Sequence, residues 1–130
     1  MNRWIGIGAC LCCLAFALAA STATAHQTAY SNGVSVTLHV NPNDEPVAGK
    51  ASQVIVTRVA PNRGRFRWKT CVCYLKITDS SGKVVVNRRA GRRSTVTFPR
   101  ATAYEIVFSG RYRRSGSTKR FRAKFAIRAS

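Results

Sequence analysis

Acidic residues are scarce in this chain: Asp44, Glu45, Asp79 and Glu105 are all there are in 130 residues. Histidine occurs twice, as His26 and His39, and methionine only as Met1. Little material is left for a Ser-His-Asp triad, which needs a base and a carboxylate to orient it. Asp44 and Glu45 are adjacent and bracketed by Pro42 and Pro46, so they do not form a facing acid–base pair. No glycine-rich phosphate loop leads into a helical pattern, and the 3.6-residue apolar period never persists. Without methionine beyond Met1, a thioether-rich copper carrier is excluded as well. These shortages argue for a protein that is not an enzyme.

Long apolar runs are absent except at the start. Arg3 precedes an uncharged stretch from Trp4 to Ala20, and Ala23-Thr24-Ala25 has the small-x-small pattern of a cleavage site. That is the layout of a secretory signal peptide over residues 1–25. The apolar run is shorter than the roughly 20 residues of a membrane span, and no basic stop follows it. The expectation is an exported protein, periplasmic or extracellular, whose mature chain begins at His26 and has no transmembrane segment. Residues 26–130 then make one domain of ordinary size.

Positive charge is abundant. Only Arg3 lies before residue 26, so the mature chain keeps 21 basic residues against four acids, a formal charge of about +17. Such a surface attracts polyanions. For an exported protein these are anionic glycans, lipopolysaccharide or phospholipid head groups rather than nucleic acid. The basic residues are interleaved with aromatics in Arg63–Lys69 and Arg111–Lys124, a pattern that also suits stacking on single-stranded nucleic acid. Strand alternation accounts for it more simply, with Phe66, Trp68, Phe121 and Phe125 inward and the charges outward.

Period-two alternation recurs along the whole mature chain. Val34, Val36, Leu38 and Val40 alternate with Ser35, Thr37 and His39. Strands are also expected over residues 52–60, 71–78, 83–87, 94–98 and 103–108. The last strand presents Phe121, Ala123, Phe125 and Ile127 on one face and Arg120, Arg122, Lys124 and Arg128 on the other. Seven or eight short strands separated by turns predict an all-β fold, an immunoglobulin-like antiparallel β-sandwich. Tyr104, just after a turn-rich segment, is either a tyrosine corner or an ordinary core aromatic. The outward strip Arg120, Arg122, Lys124 and Arg128 is the candidate polyanion-binding surface.

Asn32-Gly33 is a strong signal for a two-residue type I′ hairpin loop. With that loop, Ser31 faces Val34, Gln27 faces Leu38 and His26 faces His39. The two histidines share the polar face with Thr28, Tyr30, Ser35 and Thr37, with Cβ atoms roughly 4.5–5.5 Å apart. Two imidazoles at that spacing can share a metal ion. A cut after Ala25 adds the α-amine of His26, and three nitrogens in a tetragonal arrangement suit Cu(II). The competing reading is two ordinary surface histidines.

Cys71-Val72-Cys73 admits three readings. The pair is a buried apolar couple, a disulfide, or a thiolate site for Cu(I). In an extended strand the two Cα atoms lie about 6.6 Å apart, at the edge of disulfide geometry. A bridge therefore requires a local bend.

The segments His39-Val40-Asn41-Pro42-Asn43-Asp44-Glu45-Pro46-Val47-Ala48-Gly49-Lys50 and Ala103-Tyr104-Glu105-Ile106-Val107-Phe108-Ser109-Gly110 resemble small exported bacterial immunoglobulin-like proteins. The likeness is to the YtkA-like and copper-resistance (CopC-like) type. It implies a β-sandwich and a mature N-terminal histidine that ligates Cu(II), the position of His26. The later Asp/His ligands of that group have no counterpart here, since no histidine follows His39. Two functional expectations follow. One is a non-catalytic exported accessory module that binds copper through His26 and His39, with Cys71 and Cys73 as an independent second site. The other is a basic surface module for anionic envelope polymers.

Overall fold

The computed structural model describes residues 26–130; the expected leader lies outside the described residues. Two antiparallel sheets of four strands pack face to face. The first has the order β1 (Gln27–Ser31), β2 (Val34–Val40), β3 (Ala51–Pro61) and β6 (Arg93–Thr97). The second has the order β5 (Val84–Arg89), β4 (Val72–Asp79), β7 (Ala103–Arg114) and β8 (Ser117–Arg128). This is the expected immunoglobulin-like sandwich, with eight strands. No helix among the described residues is long and apolar enough to cross a membrane.

The alternation read from sequence becomes the core. Val34, Val36, Leu38 and Val40 of β2 are all buried, facing Leu75 and Ile77 of β4, Ile106 and Phe108 of β7, and Ala123 and Phe125 of β8. Each inward residue removes apolar surface from water at about 25 cal/mol per Å². The intervening residues carry the charge. A one-residue slip would turn the polar faces inward, the arginines of β8 among them, so the pattern itself enforces register.

Two segments differ from the sequence expectation. Residues 63–70 form no strand; Trp68–Thr70 is a single 3-10 turn. Phe66 and Trp68 still reach the core edge, packing edge-on at 5.1 Å between ring centroids. Their burial comes from a loop folding over the sandwich end, not from strand alternation. Likewise β4 starts at Val72, because Cys71 caps the 3-10 turn through its N–H to the Trp68 carbonyl, 3.1 Å. The expected common face of Cys71, Cys73, Leu75 and Ile77 thus begins only at Cys73.

Tyr104 is a tyrosine corner. Its hydroxyl donates to the Arg100 carbonyl at 2.8 Å and accepts the Arg100 N–H at 2.9 Å. The ring is buried beside Phe98, at 5.0 Å between centroids. The corner ties the β6–β7 crossover to the start of β7. Tyr104→Phe leaves both Arg100 groups without that partner and is expected to cost about 1–3 kcal/mol, read as a lower urea midpoint at unchanged slope.

Asp79, buried at the end of β4, organises the next turn. Its carboxylate accepts from the Ser81 hydroxyl at 2.6 Å, from the Arg100 guanidinium at 2.7 Å, and from the Ser81 and Lys83 N–H groups at 2.9 Å each. The Ser81 hydroxyl, then Arg100 and the two N–H groups, hold the carboxyl well below its ordinary value of 3.8, against the opposing effect of burial. A depressed folded-state value means stability that is present above the ordinary value and lost as pH falls. Acid denaturation curves of the wild type are expected to steepen below pH 3.8. Asp79→Asn is expected to flatten that part of the curve.

Candidate functional site

The first hairpin is built by Asn32 and Gly33, whose φ angles are +47° and +72°. Two consecutive positive φ values define the type I′ loop, and an Asn-Gly pair tolerates them. The observed partners are Ser31↔Val34, Tyr30↔Ser35, Ala29↔Val36, Thr28↔Thr37 and Gln27↔Leu38. One step further along this register, His26 meets His39. Their rings stack with centroids 5.0 Å apart and planes 26° from parallel. Thr28 and Thr37 share a hydroxyl hydrogen bond of 2.9 Å on the same face.

His26 is exposed, whereas the His39 side chain is only 16% accessible. The turn after β2 explains the difference. Asn43 and Asp44 both adopt left-handed backbone, with φ of +47° and +57°, and the Asp44 N–H donates to the Val40 carbonyl at 2.7 Å. Asp44 is thereby folded back under His39. Its Oδ1 lies 3.0 Å from His39 Nδ1 and accepts the Val40 N–H at 2.6 Å. Its Oδ2 is buried and has no hydrogen-bond partner among the described residues. On the other side of the ring, His39 Nε2 lies 2.7 Å from the Asn41 side-chain oxygen.

Asp44 is the residue that sequence reading missed at this site. Considered with Glu45 as an acid–base pair, it had no role. The signal was present in Asn41-Pro42-Asn43-Asp44, a run of residues that tolerate turns and positive φ. A tight turn there returns its last side chain toward the strand it leaves.

The arrangement has metal-site logic. A ligating histidine commonly donates one ring N–H to a carboxylate, which fixes the ring and leaves the other nitrogen for the metal. Asp44 on Nδ1 supplies that orientation, and Nε2 lies against the side-chain oxygen of Asn41. Among the described residues no three His, Cys, Asp or Glu side chains converge on a common point. The donors available to an ion here are therefore the His26 and His39 imidazoles, with the His26 α-amine as the third if the chain is cut after Ala25.

Cys71 and Cys73 are joined in a disulfide, with Cα atoms 5.4 Å apart. The 3-10 turn supplies the bend that an extended strand lacks. In this state neither sulfur is a thiolate, so the pair offers no Cu(I) ligand.

The basic strip is present and larger than expected. Arg120, Arg122, Lys124 and Arg128 are exposed along the outer face of β8. β7 places Arg111 directly opposite Arg120, Ser109 opposite Arg122 and Val107 opposite Lys124. On its other side Ser109 faces Tyr74, which is 46% exposed and in turn faces Arg89 of β5. The strip becomes a patch of cations on β8, β7 and β5, with Tyr74 of β4 among them. Among the described residues Arg100–Asp79 is the one guanidinium–carboxylate pair, and it lies elsewhere. Facing like charges on a sheet are destabilising, so the Arg111–Arg120 pair is a place where a bound anion relieves repulsion.

No protein-family model, curated protein or solved structure matches this chain.

Proposed function

We propose that the protein is an exported, non-catalytic accessory module that binds Cu(II) at the open end of its first hairpin, through His26 and His39. The observation that carries this reading is the stacked histidine pair, with His39 held on Asp44 at 3.0 Å. The residues fit the ion on three counts. The donors are nitrogens, which Cu(II) favours in tetragonal sites. One ring is already oriented by a carboxylate. The local charge is also less positive than elsewhere, since Asp44 and Glu45 are two of only four acids in the chain.

In this reading His39 Nε2 exchanges the Asn41 amide for the metal while Nδ1 keeps Asp44. His26, exposed, turns to contribute its ring and its α-amine. The test is a Cu(II) titration of two folded forms, one beginning at His26 and one with a single glycine before it. The native form is expected to bind one copper at least about tenfold more tightly. Equal affinities would overturn the site. Asp44→Asn, which keeps the shape but weakens the orienting bond, is expected to reduce affinity about 10–100-fold.

The facing pair Arg111 and Arg120 supports a second reading, a surface for anionic envelope polymers. Retention on a sulfated-glycan column is expected to fall steeply with salt, as screening demands, and to be insensitive to the N-terminal extension. The double variant Arg111→Glu, Arg120→Glu is expected to elute at clearly lower salt, while unchanged elution would remove this face as the site.

A further inference from the structure

We propose that Cys71–Cys73 is a thiol-exchange site, able to accept two electrons from an external dithiol, and independent of the copper reading. The first ground is that the bridge holds no distant parts of the fold together. It closes a loop of only three residues, and a disulfide restricts the unfolded chain less as its loop shortens. Its neighbours are already fixed by other bonds. The Cys71 N–H donates to the Trp68 carbonyl at 3.1 Å, and the Ala90 N–H donates to the Cys73 carbonyl at 3.0 Å. Cys73 also pairs with Gly110 in the β4–β7 ladder. Opening the sulfur–sulfur bond leaves each of these in place.

The second ground is access. Cys73 is buried at 2% exposure, whereas Cys71, outside the strand, is half-buried. Both line a surface cleft with Trp68, Arg89 and Arg92. The attacking group in exchange is a thiolate, and nearby arginines favour thiolate over thiol. Arg92 sits over the Trp68 ring at 6.0 Å, which keeps its guanidinium at the cleft wall.

The third ground is the seat beneath the bridge. A Cβ on Gly110 would fall 2.8 Å from Cys71 Sγ and 3.0 Å from Cys73 Sγ. Glycine in a strand interior costs stability, and here it opens the room in which the two sulfurs lie against β7.

A thiolate of the external dithiol attacks Cys71 Sγ and forms a mixed disulfide. The electron pair of the broken bond goes to Cys73 Sγ, which takes up a proton. The second sulfur of the dithiol, as thiolate, then attacks the first, closes the dithiol's own disulfide and releases Cys71 as thiolate, which takes up the second proton. Two electrons and two protons pass from the dithiol to the cysteine pair.

The experiment treats the folded chain from His26 onward with millimolar dithiothreitol, without denaturant, and counts free thiols by maleimide mass shift. Both cysteines are expected to label while the far-ultraviolet circular dichroism stays unchanged, and oxidised glutathione is expected to restore the bridge. Cys73→Ser, which leaves Cys71, is expected to react with an aromatic disulfide reagent at least about tenfold faster than Cys71→Ser. Arg89→Glu with Arg92→Glu is expected to slow reduction of the otherwise unchanged protein several-fold. A bridge that resists dithiothreitol until denaturant is added would overturn the proposal, as would equal reactivity of the two single-cysteine variants. The native reduction assay decides the matter should either variant fail to fold.

Discussion

Two positive backbone angles, at Asn32 and Gly33, determine what every other residue of the first hairpin faces. A two-residue loop leaves no freedom in the pairing, because side chains alternate with a period of two. The valines of β2 go inward, the threonines outward, and His26 arrives opposite His39. A Cβ in place of the Gly33 hydrogen would meet the Asn62 side chain at 3.0 Å, and the Asn62 N–H donates to the Gly33 carbonyl at 2.7 Å. The loop is thus locked by Asn62, the residue that follows β3. The hairpin is also tied to the second sheet, since Asn32 donates to the Arg120 carbonyl at 2.7 Å and the Ser31 hydroxyl accepts the Arg122 N–H at 2.8 Å.

The same economy of contacts explains how so basic a chain holds together. Its inward faces are almost wholly apolar, and the cations occupy the outward positions where water solvates them. Repulsion between facing arginines such as Arg111 and Arg120 is modest, about 0.2–1 kcal/mol per pair on a sheet surface. Burial of the alternate face outweighs it. The few acids are spent locally: Asp79 fixes a turn and the corner beside Tyr104, and Asp44 fixes His39. Neither lies on the arginine face, whose one acid on β7 is the exposed Glu105 opposite Ala126.

Much of this was legible in the sequence because one rule, alternation by two, governs most of the chain. It gave the sandwich, the inward faces, the arginine strip and, with the Asn-Gly loop, the histidine pair. It failed where the backbone leaves the extended state. Phe66 and Trp68 are partly buried by a folded loop, not by strand alternation. Cys71 turns out of the strand, which is what lets it bridge to Cys73. Asp44 reaches His39 through two left-handed residues, and spacing alone does not show such a turn. The cation patch needed the strand pairing, because Arg111 and Arg120 become neighbours only across the β7–β8 ladder.

In the proposed copper site, hairpin register and the Asp44 contact together present two imidazoles to one ion. Pulsed electron paramagnetic resonance on the Cu(II)-loaded chain beginning at His26 counts coordinated imidazoles through their remote nitrogens. Two are expected in the wild type and one after His39→Ala. A wild-type spectrum with one imidazole or none would rule the two-histidine site out.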